Sequence, residues 1–538
     1  VLPNQQQVIV IITDETLMGA FMPLKAWKIR KGVNTVLLST SYIYSNYTGT
    51  TNQLKIKKCL QDYYDNKNLK WALLGGDNTV VPVQGCYGKY SSYTDNTIPC
   101  DLFYACYDNT FDWDSDGDGI IGETTDNIDM APEIYISRAP IRTEAHVNTF
   151  VDKVIGYETN PSSTSYVETM LLTMLLTGTN LFGYYNSAGE SDAHWKNEDM
   201  YSNYISPQWS GIKTKFYDTG TDFTGGASYD LTESNLQSTL NNGYHFVHMA
   251  THGGQTSWSM ETGSSYNSTN AQNQSNSNLS VIVTIACNTN AFDDTKYTSD
   301  PCLSEAFLRN PNGGCILYWG SSRYGWSSSS WHFSERFFQN FFSGSPTADE
   351  YKFGAVTTTS KSYYISSSSS YSSAKRWLQF SQNTIGDPEL SIFTENPVEF
   401  TNATVSQSGT TVTVNTGGVS DCKIALTSMD FGTSYFDFQV GVSSATFTNV
   451  NCPYYVTITK HNYKPFQYPT DVYIQNYTFN SDAYISGRNI YVGNDVIPSA
   501  TQGDVIIKNG VNVVFDALQN MNFDSGFEVE LGGTFEVK

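Results

Sequence analysis

Two short, mainly apolar segments that each stop at a reactive side chain constrain the fold of this chain more than any other feature. The run Tyr244–Ala250 is followed by His252, and the run Val281–Ala286 is followed directly by Cys287. Runs of this length and composition predict buried strands of a parallel sheet. Because functional groups gather where the strands of such sheets end, the sequence predicts an imidazole and a thiol side by side at one sheet edge.

Strand and helix patterns alternate up to about residue 395, which indicates an α/β fold with parallel sheets covered by helices on both faces. The predicted strands of the first part are Gln7–Thr13, Thr35–Ser39, Trp71–Asp77 and Pro132–Arg138, with helices at Thr16–Lys31, Asn52–Asn66 and Thr143–Glu158. The predicted strands of the second part are Met170–Thr177, Ile212–Tyr217, Tyr244–Ala250, Val281–Ala286, Cys315–Gly320 and Glu389–Phe393. Two polar stretches, Ser264–Asn278 and Ser327–Ser330, are predicted to be surface loops.

The pattern changes after Asn396 to short alternating strands such as Thr410–Val414. These predict a seven-stranded β-sandwich of immunoglobulin type, followed by a small β stack or solenoid-like segment with Gly and Asn turns. A chain of 538 residues is too long for one core. The predicted domains are therefore 1–159 and 160–395, two α/β subdomains, then 396–480, the sandwich, and 481–538, the small all-β segment.

Acidic residues dominate the charge of the chain, with 30 Lys plus Arg against 52 Asp plus Glu and a net charge of −22. Such a surface disfavours nucleic acids and anionic membranes as partners and suits a secreted or cell-surface protein. No apolar stretch reaches the roughly 18 residues that a spanning helix needs. The chain begins at Val1 without a signal-peptide pattern, which predicts a processed form.

The nine cysteines leave at least one thiol unpaired in the monomer. Cys422 and Cys452 are candidates for a disulfide in the C-terminal β region. One or two further bridges can be drawn among Cys59, Cys86, Cys100 and Cys106, and the sequence does not fix the pairing. If an extracellular chain keeps one free thiol, we expect it to be Cys287.

A cysteine nucleophile needs a base that removes its proton and N–H groups that hold the oxyanion. Gly253 and Gly254, directly after His252, allow a sharp turn and a close backbone approach. The N–H groups of Gly253 and Cys287 are the predicted oxyanion hole. Taken singly, the histidine and the cysteine are more often structural, and it is their pairing at adjacent strand ends that favours attack of a thiolate on an acyl group.

His245 and His248 imitate a metal-ligand spacing together with His252. They lie within a predicted strand among apolar neighbours, which is not the geometry of a metal site. We interpret both as packed, hydrogen-bonded histidines.

Several motifs, in the same order along the chain, resemble those of the gingipain family of cysteine peptidases, which belongs to the caspase-like clan. They are Thr251–Gly254 with Trp258 six residues after the histidine, Ile285–Cys287 followed by Asp300–Phe307, Leu73–Asp77, Ile136–Arg138 and Ile385–Pro388. The similarity covers about residues 7–395. It implies an endopeptidase whose caspase-like catalytic subdomain is 160–395, with Cys287 as nucleophile and His252 as general base.

The resemblance also implies how a substrate is held. Asp192 matches the position at which arginine-specific gingipains place the aspartate of the S1 pocket, where a carboxylate pairs with a substrate Arg or Lys. Trp326 matches a pocket tryptophan that can stack on a guanidinium group, and Trp258 is a further substrate-binding candidate. The simpler alternatives are a solvated loop acid for Asp192 and a core aromatic for Trp326.

One position departs from the family pattern. The family usually orients its histidine with an acidic residue after the first strand of the catalytic subdomain, where this chain has Gly178, Thr179 and Asn180. An asparagine can orient an imidazole, as in papain-like enzymes. Asn180 is therefore the predicted third member of the catalytic group.

The segment Asp112–Glu123 fits the calcium-loop pattern D-x-[DN]-x-[DN]-G-x5-E in full. The predicted ligands of a structural Ca²⁺ are Asp112, Asp114, Asp116, Asp118 through its carbonyl, and Glu123. No flanking helices are evident, so the prediction is an EF-hand-like loop in the N-terminal subdomain.

Together these features predict a secreted or surface cysteine endopeptidase that acts on proteins or peptides, with cell-surface attachment through the C-terminal β domains. A transpeptidase or sortase-like processing enzyme would use the same chemistry with an amine in place of water, and product analysis with added amines separates the two. A calcium-stabilised adhesin on a degenerate peptidase scaffold is a third reading. Failure of a thiol-directed acyl inhibitor to label Cys287 would favour the adhesin.

Overall fold

The computed structural model describes the chain except residues 1–6, 109, 162–172, 180, 182–190, 218–228, 261–262, 294–300, 344–350 and 429–434. It contains two compact units. One unit comprises Val8–Glu15 and Leu37–Asn396, and the other comprises Val1–Gln7, Thr16–Val36 and Pro397–Lys538. No helix in the described ranges is both long enough and apolar enough to cross a lipid bilayer.

The α/β part of the chain follows the alternation that its sequence predicts. Its helices are α1 Glu15–Arg30, α2 Thr40–Asn46, α3 Asn52–Lys67, α4 Glu144–Thr159, α5 Asp192–Met200, α6 Glu233–Asn241, α7 Ser268–Gln272, α8 Leu303–Arg309, α9 Ser327–Phe341, α10 Phe353–Ser362 and α11 Ala374–Ser381. Its strands are β1 Val8–Thr13, β2 Asn34–Ser39, β3 Leu69–Gly75, β4 Gly85–Tyr90, β5 Tyr93–Pro99, β6 Tyr135–Ala139, β7 Thr173–Gly178, β8 Ile212–Tyr217, β9 Tyr229–Asp230, β10 Phe246–Ala250, β11 Gly253–Gly254, β12 Ser257–Ser259, β13 Ser265–Asn267, β14 Ser280–Ile285, β15 Cys315–Ser321 and β16 Gln382–Ile385.

One eleven-stranded sheet runs in the order β2-β1-β3-β6-β16-β15-β14-β10-β7-β8-β9. The strands from β15 to β9 are parallel to one another, and so are β1, β3 and β6. The fully buried strands, such as β1 and β14, are nearly continuous apolar runs because helices cover both faces. The prediction of an α/β fold with two parallel halves, the second of them caspase-like, is confirmed.

Strand β16 joins the two halves, and it was not predicted. It is antiparallel to β15 and parallel to β6, so the two parallel halves run in opposite directions. The residues of β16 are mainly polar, so its sequence lacks the apolar pattern of a buried strand. Gln382 accepts a hydrogen bond from Ser321, and the Asn383 amide donates to the carbonyl of Pro99. The predicted strand Glu389–Phe393 is wrong, because this segment makes only a bridge between Ser391 and Lys352 while its apolar side chains fill the core.

The two polar stretches predicted as loops carry regular structure. Ser327–Ser330 forms the first turn of α9, and Ser264–Asn278 contains β13 and α7. The start of α7 is a capping box in which the side chains of Asn267 and Asn270 satisfy each other's backbone N–H groups. Serine and asparagine are favoured at helix starts, so a polar stretch in the sequence can indicate the start of a helix as well as a loop.

The C-terminal region has two β modules, with strands β17 Thr404–Ser408, β18 Thr411–Asn415, β19 Cys422–Thr427, β20 Phe436–Val442, β21 Ser444–Phe447, β22 Tyr455–Thr459, β23 Phe466–Pro469, β24 Val472–Ile474, β25 Tyr477–Phe479, β26 Ala483–Val492, β27 Val505–Ile507, β28 Asn512–Phe523, β29 Phe527–Val529 and β30 Thr534–Val537. The first module packs the antiparallel sheets β17-β18-β21 and β20-β19-β22-β23 around one apolar core, as the immunoglobulin-like prediction requires. The second stacks parallel strands in the sheets β24-β26-β28-β30 and β25-β27-β29, with Tyr473 and Tyr491 stacked in register. That arrangement is a short β-solenoid.

All nine cysteines lie in the described part of the chain, and each is a free thiol. The bridges that the sequence leaves open, between Cys422 and Cys452 and among the four N-terminal cysteines, are not formed in the structure. Most of these thiols are fully buried, where cysteine packs as a small apolar side chain.

Candidate active site

The strands that carry the two reactive side chains are neighbours. β10 and β14 are parallel, with Ala250 opposite Ile285, so His252 and Cys287 each lie two residues past a matched pair. The N–H of Thr251 donates to the carbonyl of Ile285 at 2.8 Å and holds the two strand ends together. His252 is exposed and Cys287 is half-buried. The side-by-side strand ends are as predicted.

Gly253 lies against the backbone of Cys287. It begins β11, which pairs with β12 in a tight hairpin. A Cβ at Gly253 would lie 2.7 Å from the carbonyl oxygen of Cys287 and 2.9 Å from Cγ2 of Thr289. Neither the backbone oxygen nor the β-branched side chain can move aside easily, so glycine is needed here for the close approach.

Gly253→Ala is expected to lower kcat/KM by more than about tenfold and stability by about 1–3 kcal/mol, because a forced overlap shifts the strand ends. Gly254→Ala is the matched control, since the nearest atom to its Cβ is Oγ of Ser257 at 3.6 Å. Peptide hydrolysis and thermal unfolding of both variants check this. Equal behaviour of the two would contradict the packing described here.

A third strand end completes the surroundings of the thiol. After β15 the chain brings Gly325 to Cys287: the N–H of Gly325 donates to Sγ at 3.3 Å, and the thiol donates to the carbonyl of Gly325 at 3.7 Å. The N–H of Asn288 donates to the carbonyl of Arg323 at 2.9 Å, with Asn288 itself at φ 62°. Sequence reasoning missed Gly325. The available signal was its position just past a buried strand that neighbours β14.

Burial raises the pKa of the Cys287 thiol above its ordinary value, and the N–H of Gly325 acts in the opposite direction. Because the thiolate is the reactive form, the reactivity of Cys287 in the free enzyme should increase as pH rises through a pKa above the ordinary value of about 8.5. The rate of iodoacetamide labelling against pH, with Cys287→Ala as background, measures this. A midpoint at or below neutral pH would instead place an imidazolium directly on the thiolate in the resting enzyme.

Asn180, the predicted third residue, lies outside the described residues. Asp192, the predicted pocket acid, is the first residue of α5 and only 1% exposed. Its Oδ1 accepts from the N–H groups of Leu181 and Ala193, at 2.8 and 2.9 Å. The side chain of Ala193 packs with Ala250 of the strand that leads to His252. Asp192 is therefore a buried carboxylate at the same sheet edge, not a solvated loop acid.

The two tryptophan candidates, Trp326 and Trp258, differ in their exposure and in their neighbours. Trp326 is half-buried and follows Gly325, and its ring lies 4.7 Å from Tyr90 and 5.5 Å from Tyr93 of the β4–β5 hairpin. Trp258 is fully buried and packs on Tyr266 and Phe307. The role of Trp258 as a substrate-binding residue stays a prediction, and its indole packs in the core of the α/β unit. Trp258 lies in β12 opposite Gly253, and this pairing explains its spacing from His252.

The two strand histidines are structural, as we interpreted them. His245 shares a hydrogen bond with the hydroxyl of Tyr157 at 2.8 Å. Nδ1 of His248 lies 2.7 Å from Oδ1 of Asn197, and burial lowers its pKa to about 3. Both rings are fully buried and lie away from the exposed His252.

In the acidic loop before β6, three of the five predicted ligand residues lie close together. Asp114, Asp116 and Asp118 bring ligand oxygens within 4.8 Å of one another, and neither Asp112 nor Glu123 belongs to that group. The carboxylate of Asp114 accepts from the N–H of Gly119 at 3.0 Å, with Gly119 at φ 85°. The pattern D-x-D-x-D-G occurs twice in overlapping copies, one starting at Asp112 and the other at Asp114. The hydrogen bond from Gly119 goes to the first residue of the second pattern, while the N–H of Asp114 donates to Asp112, the first residue of the first pattern, at 3.1 Å.

The comparisons agree with this geometry. The model of peptidase family C25 matches residues 2–393. The complex of the pro- and mature domains of RgpB from Porphyromonas gingivalis superposes with a TM-score of 0.64 at 20% identity, covering 86% of this chain and 99% of that one. The Arg-specific cysteine proteinase gingipain R (RGPB) gives 0.66 at 20% identity, with 87% and 98% covered. A further protease structure gives 0.62 at 17% identity, with 87% and 98% covered. These structures share the fold, and no curated protein matches the sequence.

Proposed function

Because this chain belongs to peptidase family C25, we propose that it is an endopeptidase in which Cys287 is the nucleophile and His252 the general base. The chain is a cysteine peptidase, a hydrolase of proteins or peptides, by that membership. The observation that carries the finer assignment is the meeting of three strand ends around one thiol. Cys287 is the half-buried thiol at that edge, His252 follows the adjoining strand, and Gly325 donates an N–H to Sγ.

The reaction that follows is acyl transfer through a thioester. His252 takes the thiol proton, and Sγ attacks the carbonyl carbon of the scissile bond. The oxyanion is held by the N–H groups of Gly253 and Cys287, and His252 then gives its proton to the leaving amine. His252 then removes a proton from a water molecule that attacks the thioester, the C–S bond breaks to release the acid, and His252 returns the proton to Sγ of Cys287. Asn180 orients the imidazole in this scheme.

The assignment is tested by cleavage of a P1-diverse fluorogenic peptide library, with reductant and calcium, by the wild type and Cys287→Ala. Cleavage inside long peptides identifies an endopeptidase. Addition of an amine nucleophile shows whether the acyl group goes to water or to the amine. No cleavage by folded wild-type protein would overturn the proposal.

We propose a preference for Arg or Lys at P1, recognised by Asp192. Its support is the position of this carboxylate at the start of α5, next to Ala193, which packs on the strand that leads to His252, since a carboxylate there can pair with a cationic side chain. Asp192→Asn is expected to lower kcat/KM for Arg and Lys substrates by about a hundredfold while leaving neutral P1 residues less affected. Asp199→Asn, an exposed acid on the same helix, is the control. An unchanged ratio between basic and neutral substrates would exclude Asp192 from the pocket.

We further propose that the acidic loop binds a structural Ca²⁺ through Asp114, Asp116 and Asp118, with Glu123 close by. The hydroxyl of Thr125 lies within hydrogen-bond distance of both Asp116 and Glu123, at 2.8 and 2.6 Å. One hydroxyl proton cannot serve two carboxylates, so a hard cation with oxygen ligands fits this crowding. Its role would be to hold the loop, with no part in the chemical step.

The calcium proposal is tested by terbium luminescence sensitised by the neighbouring Trp113, and by the thermal midpoint with calcium or chelator. Asp116→Asn should weaken both responses, and Asp65→Asn, an exposed helix acid, should leave them unchanged. Equal responses in Asp112→Asn and Asp116→Asn would favour the loop register that starts at Asp112.

We also propose that the enzyme works outside the cell or at its surface. The net charge of −22 and the two C-terminal β modules support this. The β modules are the proposed means of attachment. Fractionation of expressing cells, with a variant truncated after Asn396, tests whether they are required.

A further inference from the structure

A buried arginine, Arg323, connects the nucleophile's loop to the β4–β5 hairpin. Its side chain is 1% exposed. Two of its nitrogens donate to the two carboxylate oxygens of Asp293, at 2.9 and 2.7 Å. Nε donates to Asp95 of β5 at 3.2 Å, and the fork also reaches the carbonyl of Thr97 at 2.8 Å. One guanidinium group thus joins two segments that are distant in sequence.

The backbone of Arg323 adjoins the reactive thiol. Its carbonyl accepts the N–H of Asn288, the residue after Cys287. Two residues further on, Gly325 supplies the N–H that contacts Sγ. The position of the Gly325 N–H therefore depends on the segment 323–325. The side chain of Arg323, its first residue, is held by the carboxylates of Asp293 and Asp95.

The hairpin held by Asp95 also forms part of the surroundings of the site. The ring of Tyr93 is 49% exposed and lies 5.3 Å from Tyr324 and 5.5 Å from Trp326. These last two residues flank Gly325 on either side. The β4–β5 hairpin thus contacts the residues on both sides of Gly325, whose N–H donates to the thiol.

We propose that Arg323 is a positioning residue for the peptidase reaction, which holds the N–H of Gly325 on Cys287 by fastening its segment to Asp293 and to the hairpin. The proposal rests on Cys287 being the nucleophile. A hydrogen bond to a charged acceptor is stronger than one to a neutral acceptor, so a well-held N–H favours the thiolate over the thiol. Lysine cannot replace the fork, because it lacks the planar set of donors that reaches three acceptors at once.

Arg323→Lys is therefore expected to lower kcat by roughly tenfold to a hundredfold, less than outright loss of an oxyanion donor, with KM changed much less. The pKa of Cys287, read from the pH dependence of iodoacetamide labelling, should rise by roughly half a unit to one unit. Asp95→Asn should move both quantities in the same direction by smaller amounts. This milder variant serves if Arg323→Lys does not fold.

Arg138→Lys is the matched control, since Arg138 is equally buried and forms the same kind of fork with Asp101. It should lower stability without raising the pKa of Cys287. If Arg323→Lys and Arg138→Lys shift the labelling profile equally, or neither shifts it, Arg323 is a structural residue only. A Cys287→Ala enzyme that keeps its activity would instead remove the premise, so the two failures are distinguishable.

Discussion

Cys287→Ala should abolish peptide hydrolysis, with kcat falling by about 10⁴ to 10⁶ while the protein stays folded. The side chain supplies the atom that bonds to the substrate, and removing a nucleophile leaves only binding and oxyanion stabilisation. The substitution removes one sulfur from a half-buried position, so little packing is lost. Hydrolysis of the best library peptide, under pseudo-first-order conditions with reductant, measures the loss.

The matched control is Cys302→Ala, which removes a thiol that is fully buried in the same subdomain. It should lower stability by about 1–2 kcal/mol through lost packing and retain most of the activity. His252→Ala should approach the Cys287→Ala level, because nucleophile and base act as one unit and their losses do not add. A Cys287→Ala enzyme with more than about a hundredth of wild-type activity would contradict the proposed chemistry.

The neighbouring positions of His252 and Cys287 were predictable from sequence because they depend on local patterns. Apolar runs of strand length specify β10 and β14, and the residues two positions past their ends face the same edge once the strands pair in parallel. No long-range information was needed beyond the rule that such strands neighbour each other.

Gly325 and β16 were not predictable, because their positions depend on long-range pairing and not on local patterns. Gly325 has no local signature, and its contact with Cys287 exists only because β15 lies beside β14 in a particular register. The polar sequence of β16 gives no strand signal, since its side chains are satisfied by partners that are distant in sequence, such as Ser321 and Pro99. Pairings of that kind are specified by the whole sheet.

The acidic loop shows that a sequence motif does not by itself determine which acidic side chains lie close together. Two D-x-D-x-D-G patterns overlap, and only the one that starts at Asp112 has a glutamate, Glu123, at position 12, whereas the N–H of Gly119 donates to Asp114, the start of the other. Trp258 is a related case. Its spacing from His252 was recognised correctly, but spacing cannot report whether an indole faces the cleft or the core.

Asp101→Ala should destabilise the α/β unit by about 3–5 kcal/mol, because it leaves the charge of Arg138 buried and unpaired. Asp101 pairs with Arg138 through two hydrogen bonds, of 2.9 and 2.7 Å, and their side chains are 5% and 0% exposed. Removing the acid leaves a guanidinium group in the middle of the sheet whose remaining acceptors, among the described residues, are the carbonyls of Gly76 and Val81.

Chemical denaturation followed by tryptophan fluorescence measures this effect in the α/β unit. Glu198→Ala, which breaks a half-exposed pair with Lys213 in the same unit, should cost less than about 1 kcal/mol. The double variant Asp101→Leu/Arg138→Met removes both charges and should recover much of the loss, because the penalty comes from an unpaired buried charge and not from the missing contact. If the double variant is no more stable than Asp101→Ala, the loss comes from packing around β6 and the electrostatic explanation is wrong.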